Sequence, residues 1–560
     1  MPKYLITSAL PYINGIKHLG NLIGSLLPAD VYARHLRQEG EEVLYICGTD
    51  EHGTPAELAA AEHDQPIQDY CESMFHTQAA IYKQFRLSFD YFGRSSDSEN
   101  HALTRSIFTA LDKNGYIETR DIQQIYSLVD KRYLPDRYVQ GRCPHCQYER
   151  ARGDQCESCG RLLNPTDLLD PQSAISGSRA IELRSTPHLF LQLNALEQKV
   201  QTWVDSHTEW PTVTKGIAKK WLKEGLRERC ITRDLEWGVK VPKAGFENKV
   251  FYVWFDAPNA YIAMTEAWAK QTGHPDTWRV WWSQSEEIQY AQFMAKDNVP
   301  FHAIFWPAML LGTGENWKLA DTIKSFSWLT YEGGKFSTSQ KRGVFTDQAL
   351  ELFPADYWRY YLLSIAPEDA DSDFTFEDFA QTINKDLADV LGNFVGRVTA
   401  LVNKYFSATV PIRVKDVPAE LKSACGTQLT LMNQSLRDCK FRQAAQQLRA
   451  LWVIGNEFIT TAEPWKVMKT DAEKGGEILN TCLHLIRLFA IATTSFTPTI
   501  AETLFEIIGI SSKPETFSFK EALDFDALKA GASIFPHPVL FTKIQPEQVE
   551  QLKSDFSGIP

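Results

Sequence analysis

The chain has 560 residues, of which 44% are hydrophobic and 23% are charged, so it can form several domains with sizeable cores. Its formal net charge of −12 excludes a protein that coats nucleic acid generally, but it allows one RNA to bind through a local basic face. Residues 488–501 form the longest uncharged stretch near the carboxyl end and are too short to span a membrane, and the first residues lack a signal-peptide pattern. The ten cysteines are mostly scattered, which fits a reducing compartment, so these features together predict a cytoplasmic protein that does not bind membranes.

The first 50 residues alternate between strand and helix patterns. Residues 3–7 form a short apolar run typical of a buried strand, residues 22–37 carry apolar side chains at helical spacing, and residues 43–47 form a second apolar run. This order predicts an α/β fold with a doubly wound, Rossmann-type parallel sheet. In such folds ligands bind at the carboxyl ends of the strands.

The loop between the first strand and the helix is rich in polar residues and glycine. Residues 10–21 read LPYINGIKHLGN, and His18 and Asn21 share one face of the helix start because they lie three residues apart. Free N–H groups and the positive end of the helix dipole favour a phosphate chain there, and Gly20 lets a nucleotide approach the backbone. From these residues alone, an ordinary loop histidine and helix-start glycine fit equally well.

Asp50 directly follows the second strand. A carboxylate at the carboxyl end of a parallel strand can bind an ammonium group. A turn aspartate that caps the next helix is also compatible with this pattern.

The alternation of strands and helices breaks between about residues 116 and 230, which predicts an insertion between two halves of the sheet domain. Cys143 and Cys146 form one pair of thiols with two residues between them, and Cys156 and Cys159 form another. Four thiolates make a closed tetrahedral site for a structural zinc ion. The sequence therefore predicts one zinc knuckle over residues 143–159, with four reduced or disulfide-paired cysteines as the alternative.

Residues 215–233, at the end of the insertion, carry much positive charge. Seven lysines and arginines stand there against Glu224 and Glu228. A solvated helix surface and a contact with RNA explain this composition equally well.

Two stretches stand out after the insertion, one in the second half of the sheet domain and one after it. Residues 252–258 (YVWFDAP) have the pattern of an aromatic strand that ends in a proline loop. Residues 333–343 (GGKFSTSQKRG) form a basic loop whose flanking glycines allow movement, and Lys335 can neutralise charge on a triphosphate. A solvated loop fits the latter composition as well.

From about residue 385 onward, helical periods dominate and strand signals vanish, which predicts an all-α domain. Asn393 and Arg397 lie four residues apart on one helix face, and Trp465 follows a helix that ends at Pro464. Asn and Arg can read the edges of unpaired bases, and an exposed Trp can stack on a base. A core tryptophan and a surface Asn/Arg pair fit the same spacing.

Several of these sequence motifs resemble the motifs of one protein family. Residues 18–21 (HLGN) are similar to the first signature of class I aminoacyl-tRNA synthetases, HIGH, and residues 335–339 (KFSTS) to the second, KMSKS. Residues 9–12 (ALPY), 252–258 (YVWFDAP) and 305–310 (FWPAML) resemble the methionyl-tRNA synthetases in particular. The resemblance keeps its order from about residue 3 to about residue 510.

The resemblance implies a ligase that activates methionine with ATP to methionyl-adenylate, releases pyrophosphate and transfers methionyl to the 3′-terminal adenosine of tRNA(Met), for initiation and elongation. It also implies one structural Zn²⁺, Mg²⁺ with ATP, and ATP, L-methionine and tRNA(Met) as partners. The extra carboxyl-terminal domain that makes some relatives dimeric is not recognisable, so we expect a monomer.

The resemblance also assigns residues to sites, each by its matching position. The catalytic residues are His18, Asn21, Lys335 and Thr338. The ATP-binding residues are Lys17, His18, Gly20, Asn21, Asp297, Lys335 and Thr338. The methionine-binding residues are Leu10, Tyr12, Asp50, Trp254, Ala257, Pro258, Tyr261 and His302. The metal ligands are Cys143, Cys146, Cys156 and Cys159, and the anticodon-binding residues are Asn393, Arg397 and Trp465.

The chain departs from the family pattern at a few positions. Asn21 replaces the last histidine of the first signature, and Thr338 replaces the second lysine of the second signature. Lys341 or Arg342 could supply the missing charge instead. The departure also leaves open a relative that binds RNA and has lost catalysis. A synthetase for another aliphatic amino acid fits less well, because those enzymes carry a larger insertion.

The predicted domains follow from these signals. They are the first half of the catalytic Rossmann-type domain at 1–115, the connective insertion at 116–230 with its zinc knuckle at 143–159, the second half of the catalytic domain at 231–325, the KFSTS loop and stem-contact region at 326–385, and the helical anticodon-binding domain at 386–560.

Overall fold

The computed structural model describes residues 2–153, 156, 158, 159, 161, 163–337, 340–537 and 539–558. In chain order its strands are β1 (Lys3–Ser8), β2 (Glu42–Thr49), β3 (Tyr91–Arg94), β4 (Ile117–Ser127), β5 (Arg132–Tyr133), β6 (Val139–Arg142), β7 (Ala151–Arg152), β8 (Leu169–Ser173), β9 (Ile181–Leu191), β10 (Arg229–Cys230), β11 (Thr232–Arg233), β12 (Val250–Phe251), β13 (Ile288–Ala295), β14 (Thr322–Phe326), β15 (Leu329–Tyr331) and β16 (Ser372–Phe374).

Its α-helices are α1 (Leu19–Asn21), α2 (Leu27–Gln38), α3 (Thr54–Glu62), α4 (Ile67–Gln84), α5 (Ser98–Lys113), α6 (Leu193–Ser206), α7 (Thr212–Glu224), α8 (Val253–Asp256), α9 (Ala260–Gln271), α10 (Trp278–Trp282), α11 (Trp306–Thr313), α12 (Thr346–Leu352), α13 (Ala355–Ser364), α14 (Phe376–Thr382), α15 (Asn393–Phe406), α16 (Ala419–Arg437), α17 (Phe441–Ala462), α18 (Pro464–Val467), α19 (Ala472–Thr493), α20 (Pro498–Ile507), α21 (Phe519–Ala522) and α22 (Pro546–Asp555). Short 3₁₀ turns lie at Asp136–Tyr138, Pro165–Asp167, Ala257–Asn259, Lys296–Asn298 and Pro514–Thr516, and π-helical turns lie at Leu22–Leu26, Phe301–Phe305 and Ile383–Gly392.

The central sheet has five parallel strands in the order β14-β13-β1-β2-β3. Lys3 of β1 is paired with Ile288 of β13 on one side and with Glu42 of β2 on the other. The chain therefore winds outward from β1 in both directions, which confirms the predicted doubly wound fold. The carboxyl ends of β1 and β13 meet at the point where the winding reverses, the usual ligand position in such sheets.

The helix after β1 runs from Leu19 to Gln38 and contains the π-helical turn Leu22–Leu26. Its apolar face is fully buried against the sheet, as the spacing of Leu22, Ile23 and Leu26 predicts. Pro28 follows this turn, and Leu27 N–H donates to the Leu22 carbonyl. The wider turn fits the proline, which lacks an N–H and would clash with an ordinary preceding turn.

Most of the antiparallel strands lie within the predicted insertion, and the short antiparallel pair of β11 and β12 follows it. β4 and β9 pair over their whole length, with Ile117 opposite Leu191, and a three-stranded sheet in the order β7-β6-β8 stands beside them. This small sheet has its own core, which includes Cys143 and Cys156. The predicted boundaries at residues 116 and 230 stay a prediction.

After β16, the described residues form helices and irregular segments without a named strand, as the sequence predicts. Arg359 on α13 ties this helical part to the sheet part. Its buried guanidinium donates to Asp30 Oδ2 on α2 at 2.8 Å and to the Phe496 carbonyl at 2.9 Å. Among the described helices, none combines the length and apolar composition needed to cross a bilayer.

Candidate active site

A cavity of about 800 Å³ lies at the carboxyl ends of β1, β2 and β13. It is lined by all the predicted ATP- and methionine-site residues that the structure describes, which are Leu10, Tyr12, Lys17, His18, Gly20, Asn21, Asp50, Trp254, Ala257, Pro258, Tyr261, Asp297, His302 and Lys335. Thr338 lies outside the described residues. Leu10, Asp50 and Asp297 come together from distant parts of the sequence because β1, β2 and β13 end at the same edge of the sheet.

His18 stands at one end of this cavity, wedged between the helix start and the basic loop. Its imidazole stacks on the Phe336 ring with centroids 4.4 Å apart and an interplanar angle of 8°. A Cβ on Gly20 would lie 2.9 Å from His18 Cε1, so a larger residue at that position would displace the imidazole. Burial, with a smaller contribution from the Lys17 ammonium, lowers the pKa of His18 to about 4. The imidazole is therefore neutral at pH 7 and acts as a hydrogen-bonding group, not as a cation.

Two lysines and the helix-capping residue Asn21 lie near His18 in the cavity wall. Lys17 donates to Asn14 Oδ1 at 2.9 Å, and burial lowers its pKa to about 8. Lys335 is exposed at the cavity wall. Asn21 Oδ1 accepts the His18 backbone N–H at 3.2 Å, so the residue that replaces the signature histidine also caps the helix.

Asp50 lines the cavity directly after β2 and is almost fully buried. Its backbone N–H donates to the Pro11 carbonyl at 2.9 Å, and its own carbonyl accepts Ile13 N–H at 2.9 Å, so it holds the loop after β1 in place. Burial raises the pKa of the Asp50 carboxyl well above its usual value, and the nearby Asp256 carboxylate adds to the rise. Its buried Oδ1 has no hydrogen-bond partner among the described residues, which suits a carboxylate that receives a ligand cation.

The apolar part of the cavity is built from aromatic residues. The Trp254 ring stacks on Phe301 with centroids 3.6 Å apart. His302 Nδ1 lies 3.0 Å from the Asn298 carbonyl, which can only accept, so Nδ1 carries the proton and Nε2 accepts from the Tyr261 hydroxyl at 3.1 Å. The Tyr261 oxygen also receives the backbone N–H of Leu10. Burial lowers the pKa of His302 to about 4, which keeps this arrangement neutral.

The prediction that residues 252–258 form a strand is wrong. The strand β12 stops at Phe251, and Trp254 lies on the short helix α8, which leads through the turn Ala257–Asn259 into α9. The aromatic and β-branched residues favour a strand only where they pack on a sheet. Here Pro258 is tolerated because it stands in the first turn of a helical segment, where no N–H is required.

Sequence reasoning missed two features of the cavity. One is Phe336, whose signal is the aromatic residue in KFSTS where the signature has methionine. The other is the buried pair of His52 Nδ1 and Asp256 Oδ2 at 2.6 Å, which joins the segment after β2 to α8. Tyr12 donates to the His52 carbonyl at 3.1 Å, so this pair supports the wall on which Asp50 stands.

The basic loop is held by its own arginine. Arg342 Nη2 donates to the carbonyls of Tyr331 at 2.9 Å and Glu332 at 3.1 Å. Among the described residues, neither Lys341 nor Arg342 lines the cavity. This geometry favours Lys335 as the loop cation that faces a ligand, and the hypothesis of a substitute charge stays untested.

Comparisons with known proteins agree with this geometry. A family described as "tRNA synthetases class I (M)" matches residues 4–399, and one described as "Anticodon binding domain of methionyl tRNA ligase" matches residues 413–560. The chain belongs to the class I tRNA synthetase (M) family.

Relatives and solved structures of this family match along nearly the whole chain. The chain is 53% identical to a methionine–tRNA ligase 1 of Acaryochloris marina, over 99% of this chain and 100% of that protein, and 51% identical to a methionine–tRNA ligase of Cereibacter sphaeroides, over 100% of both. The structure of a Mycobacterium tuberculosis methionyl-tRNA synthetase in complex with methionyl-adenylate aligns with a TM-score of 0.78 at 24% identity, over 97% of this chain and 100% of that chain. The structural match shows a shared fold.

The four predicted cysteines form one cluster in this synthetase. Their sulfur atoms all lie within 4.8 Å of one another, with 4.0 Å between Cys143 and Cys159 and 3.5 Å between Cys146 and Cys156. A tetrahedral zinc ion with Zn–S bonds of about 2.3 Å needs sulfur atoms about 3.8 Å apart. The cluster therefore fits a structural zinc ion. Cys156 also lines the cavity, so the knuckle forms part of its wall.

The three predicted anticodon residues lie in the helical part of the synthetase. Asn393 and Arg397 stand one turn apart on α15, and Asn393 is exposed. The Arg397 guanidinium carbon lies 5.0 Å from the centroid of the Trp465 ring on α18. The structure thus joins two residues that are 68 positions apart into one half-exposed cation–π pair that can receive a base.

Proposed function

We propose that the chain is a methionine–tRNA ligase. It activates L-methionine with ATP to methionyl-adenylate and transfers the methionyl group to the 3′-terminal adenosine of tRNA(Met), for initiation and elongation of protein synthesis. The observation that supports this proposal most directly is that a cationic, helix-start end and an aromatic end with a buried carboxylate lie on one cavity. Membership of the family supports the same reaction.

The reaction has two steps. A carboxylate oxygen of methionine attacks the α-phosphorus of ATP in line, and pyrophosphate leaves. The 2′-hydroxyl of the terminal adenosine then attacks the methionyl carbonyl, and AMP leaves. No covalent intermediate with the enzyme is required, so the catalytic contribution is positioning and charge stabilisation.

The ATP end supplies donors and positive charge to the triphosphate. Lys335 and Lys17 offset the charge that develops on the departing pyrophosphate. The neutral His18 and the Asn21 amide donate hydrogen bonds to phosphate oxygens, and Thr338 belongs to the same loop by its sequence position. Gly20 lets the nucleotide lie on the helix start.

The remaining ATP contact is proposed at the ribose. Asp297 stands in the 3₁₀ turn directly after β13, at the carboxyl end of that strand. Its carboxylate can accept hydrogen bonds from the ribose hydroxyls, as acidic residues do in doubly wound nucleotide sites.

The other end selects methionine. Asp50 binds the ammonium group with its unpaired Oδ1, while Tyr12, Trp254, Ala257, Pro258 and His302 enclose the side chain. The Leu10 N–H and the Tyr261 hydroxyl stand where the thioether would accept weakly. In the ligand-free protein these two donors are already engaged with His302 Nε2 and the Tyr261 oxygen, so methionine is favoured over an isosteric leucine because only the thioether offers them an additional, weak acceptor.

Two metal ions belong to the proposal. Zn²⁺ held by Cys143, Cys146, Cys156 and Cys159 would fix the knuckle against the cavity. Among the described residues these cysteines form the sole cluster suited to a metal, so we place Mg²⁺ on the phosphates of ATP, where it neutralises charge as it does with most nucleotides.

We propose that the tRNA also binds at a second site, in the helical part. Trp465 would stack on an anticodon base, Arg397 would hydrogen-bond to that base, and Asn393 would hydrogen-bond to the edge of the neighbouring base. A monomeric, cytoplasmic enzyme stays a prediction from the sequence.

Methionine-dependent exchange of pyrophosphate into ATP tests the activation step. Leucine, isoleucine, valine and cysteine are the control amino acids, on protein with its zinc content measured. We expect exchange with methionine and little with the others. Exchange with another amino acid would refute the assignment of the pocket, and no exchange with any would refute catalysis and favour a relative that only binds RNA.

A further inference from the structure

The outer face of α7 and the turn after it form a positively charged surface on an acidic protein. Lys219, Lys220, Lys223 and Arg227, which we call the basic rim, are all exposed, whereas the chain as a whole has a net charge of −12. Lys220 pairs with Glu224 at 4.0 Å, a distance at which exposed partners contribute little. Within the described residues, no ion pair engages the other three members.

The direction of α7 places the basic rim beside the opening of the cavity. Just before the helix, Trp210 Nε1 donates to the Asp321 carbonyl at 2.8 Å, and within its first turn, Thr214 Oγ1 donates to the Ile323 carbonyl at 2.9 Å. The helix therefore runs in the same direction as β14. Lys219 and Lys223 stand about 8 and 14 Å beyond Thr214 along the helix, at the 1.5 Å rise per residue of an α-helix.

This distance carries the basic rim to and past the carboxyl end of the sheet. From Ile323, β14 continues only to Phe326, about 10 Å at strand rise. The cavity opens at this edge of the sheet. In agreement, α7 packs against the turns Lys296–Asn298 and Phe301–Phe305, which carry the cavity residues Asp297 and His302.

The fold itself does not require these charges. α7 buries Thr214 and Ala218 against the rest of the protein, and the basic rim stands on the other side. These lysines are exposed and cluster at the edge of a cavity that, in the proposed function, receives the end of an RNA. Their positive charge is complementary to the phosphates of that ligand.

We propose that the basic rim binds the phosphate backbone of the acceptor end of tRNA and guides its 3′ adenosine into the cavity. This inference rests on the proposed function, because it takes the tRNA as the second substrate. Phosphate contacts of this kind position an RNA without reading its sequence. The basic rim therefore acts in the transfer step and has no part in the activation of methionine.

The test reverses three charges and separates the two steps. The variant carries Lys219→Glu, Lys220→Glu and Lys223→Glu. A matched control carries Lys83→Glu, Lys422→Glu and Lys520→Glu, three exposed lysines on helices that bear no proposed site residue. Both change the net charge equally, so any difference between them is due to position.

Four measurements are made on both variants and the parent. Pyrophosphate exchange without tRNA should stay within about twofold. The KM for tRNA(Met) in aminoacylation should rise about 100-fold in the rim variant at 0.15 M salt, and the salt dependence of its binding should lose a slope of about 2.7, since three phosphate contacts release that many counterions. A minihelix of the acceptor stem should lose binding, whereas an anticodon stem-loop should not.

Other results would overturn the proposal. If the KM for tRNA moves no more than in the control, α7 is a solvated helix. If the anticodon stem-loop loses binding as much as the minihelix, the basic rim contacts another part of the RNA. If exchange also falls, a second variant with glutamine at the three positions is measured, and the same loss there would place the rim in the activation site. Failure of the parent to exchange would refute the proposed function, while minihelix binding would still test the rim.

Discussion

Replacing Asp50 by asparagine should separate methionine binding from every other property of the enzyme. The substitution removes the charge but keeps an oxygen that can accept the His52 backbone N–H, as the carboxylate does now. Removing one partner of a buried, hydrogen-bonded charge pair costs about 2–5 kcal/mol of binding. Because the amide still accepts one bond from the ammonium group, we expect the lower half of that range.

The expected change is therefore a rise of about 30- to 300-fold in the KM for methionine, at about 1.4 kcal/mol per factor of ten. Pyrophosphate exchange measured against methionine and, separately, against ATP gives the two constants, and the KM for ATP should stay within about twofold. Asp121→Asn on the exposed face of β4 is the control. Equal rises for both substrates, or no rise for methionine, would show that Asp50 does not bind the ammonium group.

The same variant should not be less stable. The raised pKa of Asp50 means that the folded state retains a proton that the unfolded state has lost, so the carboxylate lowers stability as pH rises from its unfolded pKa through its folded pKa. Asparagine removes that penalty, and the melting temperature of the ligand-free variant at pH 7 should equal or exceed that of the parent. In the parent, kcat/KM for methionine should fall with acid at a higher pH than an ordinary aspartate would give, and this fall should vanish in the variant.

Further predictions concern the other parts of the site. Phe336→Ala should raise the KM for ATP about 2- to 12-fold, since an aromatic pair contributes about 0.5–1.5 kcal/mol, whereas Phe336→Tyr should restore it; an unchanged KM for ATP would show that the stack on His18 has no role. Cys146→Ser should reduce the zinc content and the melting temperature, both measurable on the purified protein, and a variant with full zinc content would exclude this cysteine as a ligand. Trp465→Ala should raise the KM for tRNA(Met) at least fivefold, since stacking contributes about 1–3 kcal/mol per base, with pyrophosphate exchange as the unaffected control; equal effects on both would contradict an anticodon role.

The sheet could be predicted because the residues of each early strand, taken alone, already show a strand pattern. β1 and β2 are continuous apolar runs, as strands buried on both faces require, and the helix between them shows its own periodicity. Residues 252–258 have the composition of a strand, but they form helical turns in which Trp254 stacks on Phe301 and not on a sheet. Nothing local could reveal Arg359, whose partners Asp30 and Phe496 lie more than 130 residues away on either side.

The site was predictable where the signal is a type of residue at a fixed position in a motif. His18, Asp50 and the four cysteines have such signals. The aromatic residue in KFSTS marks Phe336 as unusual, but its stacking on His18 has no local signal, because the contact joins two motifs through a loop conformation. The neutral state of His18 could not be predicted either, since it follows from the burial that this stack and the helix start create.

The proposed ATP and methionine ends of the cavity differ in where their charged side chains lie, and the family signature does not show this difference. At the proposed ATP end, the positive charge stands on Lys17, which is bonded to Asn14, and on Lys335, which is exposed on its glycine-flanked loop, while His18 is kept neutral by burial. A neutral donor binds a phosphate oxygen without holding pyrophosphate by a fixed charge, and Lys335 can withdraw with its glycine-flanked loop when the product leaves. At the proposed methionine end, Asp50 is buried, and the ammonium group that we propose it binds remains through both steps. In the proposed reaction, the charge of Lys335 thus serves the group that departs, and the buried Asp50 serves the group that stays.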